Sequence, residues 1–226
     1  MGRDDGRVSL GGGTRVADLL RAPLVAEEAP GLAAAARVFG GAMVRNAATL
    51  AGNLCYGSPA ADLVPPLMAL DAEVVLQCAG GARTLALPDF CRGARDTARR
   101  RDELLTEVRW PARPRRSAHL FCKLGMRKGD AIAVTAVSVM ISAEDGRCGE
   151  ARIALGAVAP TVVRAPRAEA VLRGRAVTAA TIDEAAREAV EACAPIDDIR
   201  ASADYRRHLV EVLTRRLVTQ AWRAIG

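Results

Sequence analysis

One segment of the sequence, residues 44–62, combines the residue types that proteins use to bind phosphates and sugars. It reads VRNAATLAGNLCYGSPAAD. Ala51 and Gly52 allow main-chain N–H groups to approach an anion closely, and successive amides in a turn form a concave, positively charged nest. The segment also supplies two hydroxyls, one amide and one carboxylate: Thr49, Ser58, Asn53 and Asp62. The pattern predicts a turn-rich loop that cradles a phosphate and accepts hydrogen bonds from sugar hydroxyls.

On local composition alone, a binding site and an ordinary loop both stay open. Asn and Asp side chains in a turn often do no more than satisfy the neighbouring backbone. Other motifs add nothing, since Gly11 and Gly13 are followed by Val16 where a dinucleotide-binding fingerprint needs its third glycine. Residues 57–59, Gly-Ser-Pro, lack the second glycine of a nucleophile elbow, and the sequence has no Walker loop. These motifs therefore predict no catalytic residue.

The composition favours a folded chain without a membrane anchor. Of the 226 residues 50% are apolar and only 3% aromatic, so the core must be built mainly from Ala, Val and Leu. No apolar run approaches the ~20 residues that cross a bilayer, and the N-terminus lacks the apolar region of a signal peptide. We expect a cytoplasmic chain with no membrane span and no metal site, because its six cysteines include no CxxC pair. The two histidines, His119 and His208, stand alone and indicate neither a base nor a ligand.

Arginines dominate the charge, which is +6 overall, and they cluster at 99–101 and 113–116. A basic patch of this kind can bind nucleic acid. Here acidic residues lie beside the first cluster, at Asp96, Asp102 and Glu103, and no aromatic residues alternate with the arginines for base stacking. We therefore expect a solvated face or a subunit contact, and no nucleic acid.

Periodicity and prolines divide the chain into two domains. The first, residues 1–111, has four predicted strands, at 8–10, 74–78, 83–87 and 104–110. The proline-interrupted residues 112–117 form the predicted linker. The second domain, residues 118–226, is predicted to have two strands and two helices: strands at 131–141 and 151–158, a helix with a capping box at Thr181 and Glu184, and a last helix over 203–225. This pattern is that of an α+β protein.

Four segments, in a fixed order, resemble the FAD-binding (medium) subunits of the xanthine dehydrogenase and carbon monoxide dehydrogenase family. Residues 44–62 resemble its flavin-binding signature, close to IRN-x-GT-x-GGN followed by SPAAD, with alanine at two positions where glycine is frequent. Residues 121–130 resemble F-x-K-x-x-x-R-x-x-D, residues 153–160 resemble IALG-x-VAP, and residues 195–206, PIDDIRASADYR, resemble the closing signature. The chain is identified as a member of this family of molybdenum hydroxylases.

This resemblance implies a fold, a cofactor and partners. The fold is a partial FAD-binding domain of the PCMH, or vanillyl-alcohol-oxidase, type, followed by a smaller α/β domain with an antiparallel sheet. The chain would be an oxidoreductase subunit that carries FAD. It would receive electrons from [2Fe–2S] clusters in a small subunit and pass them to an external acceptor such as NAD or oxygen, while a large subunit holds molybdopterin.

The resemblance also assigns cofactor-binding residues. Five consecutive residues would line the pyrophosphate and ribityl chain: Thr49, Leu50, Ala51, Gly52 and Asn53. Ser58 and Asp62 belong to the same signature, and Asp62 would accept hydrogen bonds from hydroxyls. Leu105 would pack on the ring system and Lys123 would place positive charge near it. From the residues alone, a strand leucine is equally a core residue, and Lys123 equally forms a surface salt bridge.

The family's earlier glycine-rich segment, close to AGGTDL, has no counterpart in this sequence. Residues 11–14, Gly-Gly-Gly-Thr, match instead the family's later strand and helix, close to IGA-x-T-x-x-x-L, because only 32 positions separate Gly13 from Arg45. We therefore expect the first FAD subdomain to be missing and flavin affinity to be reduced. The alternative is a truncated structural or assembly subunit that binds no FAD.

Overall fold

Short helices and an antiparallel sheet make up the first half of the chain. The computed structural model describes residues 1–127 and 129–226. The helices of the first half are α1 (Val16–Leu19), α2 (Pro23–Glu28), α3 (Pro30–Arg37), α4 (Ala42–Ala47), α5 (Leu50–Cys55), α6 (Val64–Ala69) and α7 (Leu87–Phe90). Its strands are β1 (Gly2–Asp4), β2 (Arg7–Gly11), β3 (Glu73–Cys78), β4 (Gly81–Ala86), β5 (Cys91–Gly93), β6 (Asp96–Thr97) and β7 (Leu104–Pro111). Five of them form a sheet in the order β1-β2-β7-β3-β4, and β5 pairs with β6.

A second antiparallel sheet and three helices form the rest. The strands are β8 (Ser117–Gly125), β9 (Ala133–Glu144), β10 (Arg147–Gly156) and β11 (Val163–Arg164), in the order β11-β10-β9-β8. The helices are α8 (Pro166–Leu172), α9 (Ala179–Val190) and α10 (Ala203–Ile225). The predicted α+β class and the antiparallel C-terminal sheet are therefore confirmed. Among the described residues, no helix is both long and apolar enough to span a bilayer.

Strand β9 is buried on both faces, which explains its unbroken apolar sequence. Helix α10 packs on one face of the second sheet, while α3 and α6 of the first half pack on the other. Along the strand, Met140 joins the core of the first half, whereas Val139 and Ile141 join the core of the second. Because alternate side chains of a strand point to opposite faces, the two halves share this sheet as a common layer.

A buried carboxylate ties the two halves together. Glu169 of α8 is 2% exposed. It accepts hydrogen bonds from the Ile153 N–H (2.9 Å), from Arg164 Nε and Nη2 (2.6 and 2.9 Å) and from Arg173 Nη2 (2.8 Å). Arg164 also bonds Asp71 (2.5 Å), which follows α6 in the first half. The network links α8, β10 and β11 to the end of α6.

The capping box of α9 lies three residues before the predicted one. Thr178 is the N-cap, and its hydroxyl accepts from the Thr181 N–H at 3.3 Å. The Thr181 hydroxyl in turn bonds the Thr178 N–H at 2.8 Å. The box predicted with Glu184 is wrong, because Thr181 fills the third helical position, which the sequence pattern reserves for Glu or Gln.

Acid should remove the contribution of Glu103 to stability. Hydrogen bonds from Arg83 and from the Arg100 N–H lower the pKa of Glu103 from 4.5 to about 2. A lowered folded-state pKa stabilises the protein above the unfolded pKa, and this stabilisation is lost as pH falls through the folded value. The urea midpoint of the natural protein should exceed that of Glu103→Gln at pH 7 and converge with it between about pH 4.5 and pH 2. Glu107→Gln, in the strand that begins just after Glu103, is the control. A constant gap at all pH values would contradict the assignment.

Candidate flavin site

The segment predicted as one loop contains helix α5. Thr49 is extended (φ −109°, ψ 161°) and is the N-cap of this helix. Its Oγ1 accepts from the Gly52 N–H at 3.0 Å. A Thr side chain at this position favours a helix start, because it satisfies an N–H that the first turn leaves without a partner. The prediction of a continuous turn-rich loop over residues 44–62 is therefore wrong.

The amide nest predicted from these residues is also wrong. The Leu50 N–H donates to Thr14 O at 2.9 Å and the Ala51 N–H donates to Gly12 O at 2.9 Å. The Asn53 N–H donates to Thr49 O at 3.1 Å. Together with the capped Gly52 N–H, all four amides of the first turn are bonded within the chain. The small residues here let the turn at 11–14 dock on α5, and they do not open the backbone to an anion.

Asp62 and Lys123 form a buried ion pair between the two halves. Lys123 Nζ lies 2.6 Å from Asp62 Oδ2, and the side chains are 5% and 9% exposed. Lys123 also donates to Val38 O at 3.1 Å. Burial raises the pKa of Asp62, against the opposing effect of the Lys123 hydrogen bond and charge. Asp62 Oδ1 is buried and has no hydrogen-bond partner among the described residues.

A cavity of about 410 Å³ brings together three of the sequence-predicted site residues, Asn53, Ser58 and Asp62. Asn53 Oδ1 accepts from the Leu63 N–H at 3.3 Å, and Ser58 Oγ accepts from the Ala60 N–H at 3.2 Å. The volume lies within the roughly 300–1,000 Å³ typical of ligand pockets. The cavity also has four polar residues that the sequence patterns did not assign as site residues: Tyr56, Arg95, Asp130 and Arg200.

The other predicted residues lie outside this cavity. Thr49, Leu50, Ala51 and Gly52 form the first turn of α5 and its cap, and none of them lines the cavity wall. Leu105 is 6% exposed and belongs to the core of the first half, where its carbonyl faces Gly12. Lys123 reaches the cavity through its contact with Asp62. The structure thus separates direct cavity residues from residues that support α5.

A second cavity, of about 320 Å³, shares Ser58, Ala60 and Arg200 with the first. Its inner wall includes Arg206, which is 3% exposed and donates to Val134 O (2.6 Å), Ala157 O (2.8 Å) and Asp198 (2.7 Å). Arg206 belongs to the closing signature, so that signature joins α10 to the second sheet. Within the ranges 1–127 and 129–226, no cluster of three His, Cys, Asp or Glu residues could hold a metal ion.

The two halves of the chain match two family models. Residues 1–113 match the FAD binding domain in molybdopterin dehydrogenase, and residues 121–221 match the CO dehydrogenase flavoprotein C-terminal domain. The carbon monoxide dehydrogenase medium chain of Hydrogenophaga pseudoflava is 31% identical over 97% of this chain and 77% of its own length. The nicotine 6-hydroxylase medium subunit of Paenarthrobacter nicotinovorans is 33% identical over 91% of this chain and 71% of its own.

Solved structures give the same result. The carbon monoxide dehydrogenase of Hydrogenophaga pseudoflava superposes with a TM-score of 0.94 at 32% identity, covering 98% of this chain and 77% of that one. Quinoline 2-oxidoreductase from Pseudomonas putida 86 gives 0.91 at 30% identity, covering 99% of this chain and 78% of that one. The chain therefore belongs to the family of FAD-binding subunits of molybdopterin dehydrogenases, a class of oxidoreductases. The family assigned from sequence resemblance is confirmed.

Proposed function

We propose that this chain carries FAD in the cavity beside Asp62 and transfers electrons through it within a molybdenum hydroxylase. The observation that supports this site is that Asp62 lines the cavity and that its buried Oδ1 has no hydrogen-bond partner among the described residues. An unpaired buried acceptor is costly, and a ligand hydroxyl would satisfy it. The ribityl and ribose groups of FAD supply such hydroxyls, so the residues present fit the cofactor.

Each residue of the site has a proposed role. Asp62 accepts from a ligand hydroxyl, and Lys123 holds the Asp62 carboxylate in place from the second half of the chain. Asn53 and Ser58 contribute further polar contacts in the same cavity. When bound, FAD supplies the redox chemistry, while the protein supplies position and electrostatics. Five further residues do not contact the ligand and instead hold α5 against the turn at 11–14: Thr49, Leu50, Ala51, Gly52 and Leu105.

The partners are part of the same proposal. Relatives are named as medium chains or medium subunits, which supports assembly with other subunits. We propose a large subunit with molybdopterin and a small subunit with [2Fe–2S] clusters, in line with the molybdopterin dehydrogenase family model and the relatives named as medium subunits. NAD or oxygen is the proposed acceptor, and the cytoplasm the proposed location.

Removing two polar groups from the cavity should weaken flavin binding. Asn53→Ala combined with Asp62→Ala deletes an amide and the carboxylate whose Oδ1 has no partner among the described residues. Hydrogen bonds to charged groups contribute about 1.5–3 kcal/mol each, so FAD affinity should fall at least roughly tenfold. Titration of the chain with FAD, followed by flavin fluorescence, measures this change.

The control variant is Gln77→Ala with Asp89→Ala, because both residues are exposed, lie outside the flavin-binding signature and do not line the cavity. It should bind FAD as the natural chain does. Circular dichroism on each variant separates flavin loss from unfolding, which matters because Asp62→Ala leaves Lys123 buried without its partner. Equal FAD affinity in the two double variants would exclude this cavity as the site. A natural chain that binds no FAD would favour the structural-subunit alternative.

A further inference from the structure

In the loop that carries Arg95, the backbone adopts a left-handed conformation that residues other than glycine rarely adopt. Arg95 has φ +60° and Gly57 has φ +63°. The Arg95 N–H donates to Gly57 O at 2.7 Å. A Cβ on Gly57 would lie 3.1 Å from Arg95 Cα and 3.2 Å from Asp96 N, so Gly57 allows the two turns to touch. The fold therefore holds Arg95 in place despite its strained conformation.

Arg95 lies over an aromatic ring at the edge of the larger cavity. Its guanidinium carbon is 5.0 Å from the centroid of the Tyr56 ring. Tyr56 is 55% exposed, and both residues line the cavity with Asp62. In the part of the chain that the structure describes, Arg95 forms no ion pair with a carboxylate. Stacking orients the planar guanidinium while its N–H groups stay available to a ligand.

Two other basic groups near this cavity already have a carboxylate partner. Lys123 is paired with Asp62. Arg200 is paired with Asp198 at 2.8 Å. The acidic residue Asp130 of the same cavity does not pair with Arg95 among the described residues. Asp130 lies beside Gly40 and Gly41, whereas Arg95 lies beside Gly57. The four amides of the first turn of α5 are also bonded within the chain. Of the two arginines that line the cavity, Arg95 is the one without a carboxylate partner among the described residues.

We propose that Arg95, oriented by Tyr56, binds a pyrophosphate group at the mouth of this cavity. A guanidinium matches two phosphate oxygens with parallel hydrogen bonds. The pyrophosphate can come from FAD itself or from a dinucleotide electron acceptor, and the experiment distinguishes the two sources. The FAD source depends on the proposed function above, while binding of inorganic pyrophosphate does not.

The first measurement uses inorganic pyrophosphate and the chain without flavin. Binding is followed by phosphorus NMR line broadening, which detects weak complexes. Arg95→Ala should reduce the affinity roughly tenfold, as expected for a lost charge-assisted contact. Arg95→Lys should restore part of it, because it keeps the charge but loses the planar fork. Arg101→Ala removes an exposed arginine of the same segment outside the cavity and should have no effect.

The second measurement compares FAD, riboflavin and NADH. If the pyrophosphate belongs to FAD, Arg95→Ala weakens FAD but leaves riboflavin, which has no phosphate, unchanged. If it belongs to the acceptor, the variant binds FAD normally and the FAD-loaded protein loses affinity for NADH. The inference is overturned if Arg95→Ala binds pyrophosphate, FAD and NADH with the same affinities as the natural chain. Failure of both FAD and riboflavin to bind the natural chain would instead reject the proposed function.

Discussion

Replacing Glu169 by glutamine should lower the free energy of unfolding by about 3 kcal/mol, because removing one member of a buried ion network leaves its partners uncompensated. Glu169 accepts four hydrogen bonds, three of them from Arg164 and Arg173. Glutamine keeps the size but carries no charge, and its NH₂ group cannot accept. Arg164 and Arg173 are partly exposed and can be hydrated in the variant, so we expect the lower end of the range for buried pairs.

Urea unfolding at neutral pH measures this change. Glu188→Gln in α9 is the matched control, because Glu188 forms no ion pair or side-chain hydrogen bond among the described residues. Its free energy of unfolding should stay within about 0.5 kcal/mol of that of the natural protein. The network also joins α8 to Asp71 of the first half. The two halves should therefore unfold in one transition in the natural protein, and Glu169→Gln should broaden or divide it. An unchanged urea midpoint for Glu169→Gln would show that the network orients the elements it joins without contributing to the free energy of unfolding.

Six strands were predictable because their signals are local, whereas β1, β5, β6, β8 and β11 were not predicted, so the expectation of two strands in the second domain is wrong. Val74 and Leu76 alternate with less buried residues in β3, and this period of two is visible in the sequence. The continuous apolar run at 131–141 also predicted the strand that the structure has as β9. The sequence could not show that the second covering layer comes from α3 and α6, since contacts between distant segments leave no local pattern.

Helix α5 illustrates why the site was only partly predictable. The sequence around Thr49 contains the cap, but Ala51, Gly52 and Asn53 are also typical of turns. The docking of Gly12 and Thr14 carbonyls on Leu50 and Ala51 decides between the two, and those groups are far apart in sequence. The domain boundaries and the individual flavin contacts stay predictions.

His119 shows the opposite case, in which isolation in the sequence was informative. The residue is buried, and burial, together with the charge of Arg113, lowers its pKa to about 3. A Cβ on Gly31 of α3 would lie 2.7 Å from its Nε2, so the imidazole fills the space between α3 and the second sheet. It is a packing residue, neutral at physiological pH.

Gly12→Ala should destabilise the protein by about 3 kcal/mol and weaken FAD binding as well, because overpacking against fixed backbone and loss of hydrogen bonds add together. A Cβ at this position would lie 2.1 Å from Leu105 O and 3.1 Å from the Ala51 side chain. Gly12 also donates to Thr106 O at 2.7 Å and accepts from the Ala51 N–H at 2.9 Å. The atoms that would have to move belong to β7 and α5.

Gly13→Ala is the matched control, since a Cβ there meets nothing within 4 Å and its φ lies outside the left-handed region. Thermal unfolding and FAD titration on both variants separate two roles for the turn at 11–14. If the turn only anchors α5, Gly12→Ala lowers stability and flavin affinity together while Gly13→Ala changes neither. If Gly13→Ala alone reduces FAD affinity at constant stability, the turn itself contacts the cofactor, and the assignment of residues 11–14 to a supporting role is wrong.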